Sequence, residues 1–476
     1  MPGVLGLCLL TAVLLYAGGA FASVSEAPAA AVAAITSQTE ETAAETSAAV
    51  SNSATPAEDP ATPEGLLAHQ VPLELDGAGT AWLLTSTALV LLMTLPGLAL
   101  FYGGMVRRKN VIATIAQSAG VFAVATLVWF IVGYSLAFGV GSDALHPYIG
   151  NLRMLFLDGV TMETANGLLP GIPEYLWVSF QLTFAVITPA LVTGAFAERM
   201  KYSALLLFTA LWSVIVYAPI AHWVWGGGFL GEAGVLDFAG GAVVHVNSGV
   251  AGLVCALFLG ARKGYGSEPI VAHNPVLTLI GASLLLVGWI GFNAGSAGAA
   301  DALAGVALLN TLLAAAAASL AWKVIEVIEK RKPSLIGILS GIIAGLVAIT
   351  PAAGFVEPKG AVIIGLAGGA VAYVASIWIK KLLRYDDSLD VFGIHGAAGL
   401  VGALLTGVFA STAINSASEG ATVSAQALGL AGAIVWSALG TFVILLICKF
   451  TTGLRVRPEE EETGLDTVIH GEAVES

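Results

Sequence analysis

The sequence predicts an all-α integral membrane protein of eleven transmembrane helices, and three observations predict it. Hydrophobic residues make up 57% of the chain and charged residues 11%, with a mean hydropathy of +0.88, whereas soluble domains carry roughly 25% charged residues. Eleven apolar runs are each long enough to cross a hydrocarbon layer about 30 Å thick. Basic residues gather in every other connection between those runs, as a chain threading back and forth through a membrane requires. The 57 glycines add that the helices pack closely, since small residues let backbones approach.

Residues 1–22 read as a signal peptide: an apolar stretch from Val4 to Tyr16, then the small-x-small site Ala20-Phe21-Ala22. Residues 23–78 hold Ala, Ser, Thr, Glu and Pro without a single Lys or Arg, too few large apolar side chains to offset the entropy of ordering, so a disordered extension is expected. The spanning runs lie near 80–102, 111–139, 175–198, 202–224, 241–261, 274–297, 302–322, 334–351, 361–383, 391–411 and 423–450, a membrane domain of 79–453. Residues 454–476 form an acidic tail.

Charge checks the count independently. Arg107, Arg108 and Lys109 follow run one, Arg199 and Lys201 run three, Arg262 and Lys263 run five, Lys330 to Lys332 run seven, Lys380, Lys381 and Arg384 run nine, and Arg455 and Arg457 run eleven. Only Arg153 and Lys359, of 19 basic residues, fall in the alternate connections. The basic side is cytoplasmic by the positive-inside rule, which puts the mature N-terminus outside and the C-terminus inside. The net charge of −13 argues against nucleic acid, and the acid sits mostly in the tails. Cys8, Cys255 and Cys448 have no metal-ligand spacing, so neither metal, disulfide nor cofactor is expected. An enzyme is the least favoured class, for want of an acid–base pair or nucleophile motif.

Five helices per half, plus an eleventh, suit an inverted repeat. Gly97-Leu-Ala-Leu-Phe101-Tyr-Gly-Gly104 in run one resembles Gly288-Trp-Ile-Gly-Phe292-Asn-Ala-Gly295 in run six. Run five has His245 with Gly249 and Gly252, and run ten has His395 with Gly399 and Gly402. On a helix each set shares one face, and a two-fold axis in the membrane plane would bring the imidazoles together. A lone intramembrane histidine is as readily a core residue bonded to a carbonyl; two in matched repeats favour a pathway. Asp237 and Asp390 precede them. Asp390 is expected to cap its helix, and Asp237 to be a structural carboxylate that also biases a nearby cation.

The segments Asp237-Phe-Ala-Gly-Gly-Ala-Val-Val-His245-Val-Asn-Ser-Gly, Trp225-Gly-Gly-Gly and Val391-Phe-Gly-Ile-His395-Gly closely resemble the bacterial ammonium transporters, within the ammonium transporter, methylammonium permease and Rhesus family. The resemblance takes in Pro96 to Gly104, Phe180-Gln-Leu-Thr-Phe184, Ala197-Glu-Arg199 and Gly291-Phe-Asn-Ala-Gly-Ser-Ala-Gly298, and runs from about Gly79 to the C-terminus. The acidic extension departs from it.

That resemblance implies the ammonium transporter fold and transport of ammonium or ammonia across the inner membrane. Trp225, Phe184 and Ser296 would form an outer cation-binding vestibule, Phe184 and Phe292 a gate beneath it, and His245 and His395 the lining of a narrow pore that conducts ammonia, with or without a proton. It further implies a homotrimer in the bilayer and a tail read by a PII-type nitrogen regulatory protein. Two alternatives stand: an ammonium sensor, which would have to signal through the short tail, and a Rhesus-type gas channel, which as a rule lacks the vestibule tryptophan.

Overall fold

A computed structural model describes residues 70–139 and 144–474; the expected signal peptide and most of the extension lie outside the described residues. The eleven runs appear in order as helices α1 Gly77–Met105, α2 Arg108–Phe138, α3 Glu174–Phe196, α4 Tyr202–Glu232, α5 Gly241–Leu259, α6 Pro275–Ala294, α7 Ala302–Lys330, α8 Leu335–Ile349, α9 Pro358–Leu383, α10 Phe392–Phe409 and α11 Val423–Thr451. Ten are long and apolar enough to cross a membrane.

The exception is α8, whose 15 residues rise only about 22 Å. Protein covers it on nearly all sides, so its end needs no hydrocarbon-water boundary: the chain turns through Ala352 and Phe355, both buried, and heads back. In contrast α7 outlasts its apolar run, because charged residues end a membrane span without ending a helix. Glu326 in that extra turn accepts bonds from Ser334 N and Oγ at 3.0 and 2.9 Å, tying α7 to the start of α8.

Side chains at the helix starts satisfy backbone donors that the first turn leaves unpaired. Asp76 accepts from Ala78 N, Asn274 from Val276 N and Leu277 N, Asp301 from Ala304 N, and Thr422 from Ala425 N. Part of the stretch read as extension is structured: strand β1, Gln70–Pro72, pairs antiparallel with β2, Thr164–Asn166. Gln70 is held because its amide donates to the buried Glu174 carboxylate at 2.8 Å, a partner no local sequence pattern reveals.

The glycines four residues after the histidines mark a close helix crossing. A Cβ on Gly249 would lie 2.2 Å from Gly396 N, and one on Gly399 would lie 3.2 Å from the His245 Cβ. Each repeat's glycine therefore receives the other repeat's histidine-bearing segment, which is what the shared His-x-x-x-Gly spacing accomplishes.

At the basic face the connections are knitted together by buried ion pairs. Glu198 accepts from Arg107 Nε at 2.9 Å and Arg262 Nη1 at 3.2 Å, while Asp386 accepts from Arg262 Nε and Nη2 at 2.9 and 2.8 Å. Burial pushes both carboxyls up, but Arg262, helped by Arg107 at Glu198 and by Arg199 at Asp386, holds them below the usual range. The acidic tail lies along the same face: Arg455 donates to Leu259 O, Ala261 O and Glu461, and Asp466 accepts from Ala113 N at 2.8 Å.

Candidate functional site

On the face opposite the basic one, a cavity of about 380 Å³ opens between helices. Phe184 of α3, Trp225 of α4, Ser296 just beyond α6 and Asp237 all line it, joined by Trp177, Phe238, Phe355 and Asn415. The three residues proposed for the vestibule are thus brought together. Trp225 is oriented by its indole N–H, which donates to Asp237 O at 2.8 Å. The Ser296 hydroxyl donates to Phe292 O at 2.8 Å, so its hydrogen is committed and its lone pairs are available to a donor such as a cationic N–H.

Asp237 is a buried structural carboxylate. Oδ1 accepts from Gly240 N and Gly241 N at 2.9 and 2.5 Å, and Oδ2 from Ala242 N and Val243 N at 2.8 and 3.1 Å. Four orphan donors at the start of α5 are satisfied by one side chain. Gly240 supports the turn with a φ of 113°, a conformation costly for residues with a Cβ. Because Asp237 and Phe238 line the cavity, the entry to α5 is recessed, and His245 lies below the cavity although it comes early in its helix.

For α10 the capping residue is different from the expected one. Asp390 adopts a φ of 61° and ion-pairs with Lys380, while Asp387 Oδ2 accepts from Phe392 N at 2.8 Å. The left-handed turn at Asp390 aims its side chain away from the helix start and leaves the cap to the residue three positions earlier. Buried beside Asp390, the Asp387 carboxyl is pushed up to about 6.

Beneath the cavity two rings close the way. Phe184 and Phe292 stack with centroids 4.4 Å apart and planes at 29°; both are at most 1% exposed. Phe180 meets Phe184 edge-on at 5.1 Å and Trp225 does so at 5.8 Å, fixing its rotation.

Below the rings, His245 and His395 face each other with Nδ1 atoms 3.3 Å apart and centroids 5.4 Å apart. Two neutral imidazoles can share that contact only if one Nδ1 donates and the other accepts. One ring then carries its hydrogen on Nδ1 and the other on Nε2, so one remaining Nε2 accepts and the other donates. His245 Nε2 is buried without a protein hydrogen-bond partner among the described residues, a cost that a small visiting polar molecule would offset. The space beside the pair is about 10 Å³, walled by apolar residues including Phe101, Ile187, Leu191 and Ile343. That is the lower limit for holding even one water, so no water column passes.

Sequence reasoning missed Trp289. Its ring stacks on His245 with centroids 5.3 Å apart and planes at 23°, and its indole N–H is fixed by Thr350 Oγ1 at 2.9 Å. It stands three residues before Phe292 in the Gly-Trp-Ile-Gly-Phe segment compared between repeats, and that spacing, one helical face, was the available signal.

Comparisons with known proteins identify the family. The model of the Ammonium Transporter Family matches residues 81–475. An ammonium transporter of Aquifex aeolicus (strain VF5) is 50% identical over 408 residues, covering 84% of this chain and 93% of its own length. One from Bacillus subtilis (strain 168) is 48% identical over 401 residues, covering 83% and 97%. Among solved structures, Saccharomyces cerevisiae Mep2 is similar with a TM-score of 0.74 at 36% identity, covering 81% of this chain and 89% of that one. A structure described as a sensor Amt protein gives 0.76 at 31%, covering 82% and 98%. A family match spanning nearly the whole membrane domain, with relatives at half identity, places the chain in the ammonium transporter family.

Proposed function

We propose that this multi-pass membrane protein transports ammonium by holding the cation in the cavity lined by Trp225, Phe184 and Ser296 and passing ammonia between His245 and His395. The supporting observation is the stacked Phe184–Phe292 pair, which separates a cavity with π faces and a hydroxyl from an apolar chamber with only paired imidazoles.

The physical need is dehydration. A bare cation is costly to bury in an apolar chamber, whereas a neutral amine of the same size is far cheaper. Above the rings, aromatic faces and the serine lone pairs replace part of the hydration shell; Asp237 adds electrostatic bias. Crossing the Phe184–Phe292 gate requires loss of one proton, and potassium has none to lose. Ammonia can then meet one accepting and one donating imidazole nitrogen in turn. The released proton either stays outside or is relayed by the histidine pair, and only relay produces current.

In this reading the protein is not an enzyme and lies in the inner membrane, N-terminus outside and basic face in the cytoplasm, with residues 1–22 a signal peptide, 23–78 an extension, 79–453 the membrane domain and 454–476 a regulatory tail. It assembles as a homotrimer, each subunit with its own pore, and its tail is read by a PII-type nitrogen regulatory protein. Proteoliposome uptake with simultaneous current recording tests the central step. Replacing both histidines with leucine should abolish uptake or admit potassium; unchanged uptake with intact potassium exclusion would overturn the pore assignment. Full tail-dependent signalling from a chain that moves no ammonium would favour the sensor alternative.

A further inference from the structure

Trp225 stands near the end of α4, and that end is held by a residue the transport chemistry does not use. His222, fully buried, comes one turn before Trp225. Its Nδ1 lies 2.9 Å from Ala137 O in the last turn of α2, and its Nε2 lies 2.6 Å from His146 O in the loop that follows. Both partners are carbonyl oxygens, which only accept. A neutral imidazole carries one N–H, so it serves one of them and turns a lone pair on the other; only the imidazolium donates to both. The setting favours that cation. Ala137 O belongs to a helix C-terminus, where the negative end of the dipole attracts a positive side chain. Its neighbours Ser135 O and Leu136 O already accept from Gly139 N and Gly150 N at 2.9 and 2.8 Å.

The clamp reaches Trp225 through the backbone. His222 O accepts from Gly226 N and Gly228 N, both at 3.0 Å, which closes the turn that carries Trp225, while the adjacent Trp223 indole donates to Tyr148 O at 2.6 Å. The packing leaves no room to slip: a Cβ on Gly226 would lie 2.0 Å from Ala137 O and 2.7 Å from His222 Nδ1. Few ionisable groups surround the ring. His146 meets it edge-on with centroids 5.2 Å apart. On α2, Tyr134 is bound to Glu174 at 2.9 Å; on α5, His245 faces His395; Tyr148 of the loop and Glu232 of α4 are exposed. The stretch of α11 from Val423 to Ser437 has no ionisable side chain. Among the described residues no carboxylate is ion-paired with His222.

We propose that His222 is a titratable positioning residue for the cation cavity. As imidazolium it ties the end of α4 to both α2 and the following loop and sets the Trp225 ring against the cavity; as neutral imidazole it releases one of the two ties. The inference rests on the reading of Trp225 as a wall of the cation site. Its consequence is a sign: raising the pH through the histidine range removes one N–H, loosens the turn and weakens capture of the cation, without touching the pore below the rings.

The test measures ammonium uptake by the full chain in proteoliposomes with equal pH on both faces, from about pH 5 to about pH 8, separating half-saturation concentration from maximal rate. In the unaltered chain the half-saturation concentration should rise with pH, by no more than the roughly fivefold expected from losing the tryptophan π face; a flat profile would overturn the proposal without any variant. His222→Gln, whose amide can donate to only one of the two opposed carbonyls at any pH, should hold the high-pH value throughout, and a surviving pH step would overturn the proposal. His146→Gln keeps the backbone acceptor and should keep the step; its loss there would assign the titration to His146 instead. Adding His222→Gln to Trp225→Leu should raise the half-saturation concentration no further, whereas an additional rise would show that His222 acts elsewhere. If His222→Gln fails to fold, the unaltered profile and His146→Gln still decide. Failure of the underlying reading looks different: Trp225→Leu alone would then leave half-saturation unchanged at every pH, and the proposal would fall with it.

Discussion

Two cavities flank a single pair of stacked rings, and they differ in almost every property that matters to an ion. The upper one has about 380 Å³ and is bordered by Trp225, Ser296 and Asn415; the lower has about 10 Å³, with apolar walls apart from the histidines and the Trp289 indole. Water and a cation fit the first, while the second admits one small molecule at a time. The contrast teaches that selectivity here need not reside in a tight cation site. In the proposed reading the upper cavity gathers the cation, and the chamber beneath, hostile to charge, discriminates by what that cation can become.

The comparison can be broken or sharpened by substitution. The largest effect is expected from Asp237→Ala, which strips four backbone N–H groups of their acceptor; at about 1–3 kcal/mol for each buried group left unpaired, little folded protein should survive in a thermal melt, and a normal melting temperature would refute the capping role. Phe292→Ala should come next. It merges the cavities, costs about 3–5 kcal/mol of stability, and should let potassium carry current through the wet path; a still-excluded potassium ion would mean the barrier lies elsewhere.

Trp225→Leu keeps the wall and removes one π face, so the half-saturation concentration for ammonium uptake should rise by about fivefold, with the maximal rate little changed. A fall in maximal rate alone would instead assign Trp225 to a later step. The smallest effect is at the basic face. Since the Asp387 carboxyl sits at about 6 when folded, above its ordinary value near 4, the folded chain holds that proton longer than the unfolded one. Its presence therefore costs stability progressively as pH rises from about 4 to about 6, and the cost is constant above. The melting temperature of Asp387→Asn relative to the unaltered chain should climb across that window and then level off; a flat difference would show that Asp387 does not titrate there.

Much of this was legible in the sequence because hydrocarbon is an undiscriminating solvent. It demands long apolar runs and penalises charge, so the runs and the basic alternation marked the helices. The pairing of His245 with His395 followed from repeat symmetry, and Trp225, Phe184 and Ser296 from family resemblance. What stayed hidden depended on local backbone direction or on distant partners. The length of α8 reflects the protein packed around it, the left-handed turn at Asp390 moved the cap to Asp387, and Trp289 came to stack on His245 only once α5 and α6 were packed together. Gln70, in a stretch whose composition reads as disordered, is ordered through Glu174 more than a hundred positions away.

His245, Phe292 and His395 share one further property: each lies in a π-helical turn, Gly241–Val246, Ile290–Ala294 and Phe392–Ala397 respectively. Such a turn is an α-helix carrying one surplus residue, so deleting one amino acid from it would restore regular α-helical pairing and re-aim the side chains of the turn itself while the flanking helix keeps its face. The aim of each of these three side chains is thus written in a tally of residues as well as in side-chain chemistry, and a single-residue deletion there is the change that would turn the side chain while sparing the helix around it.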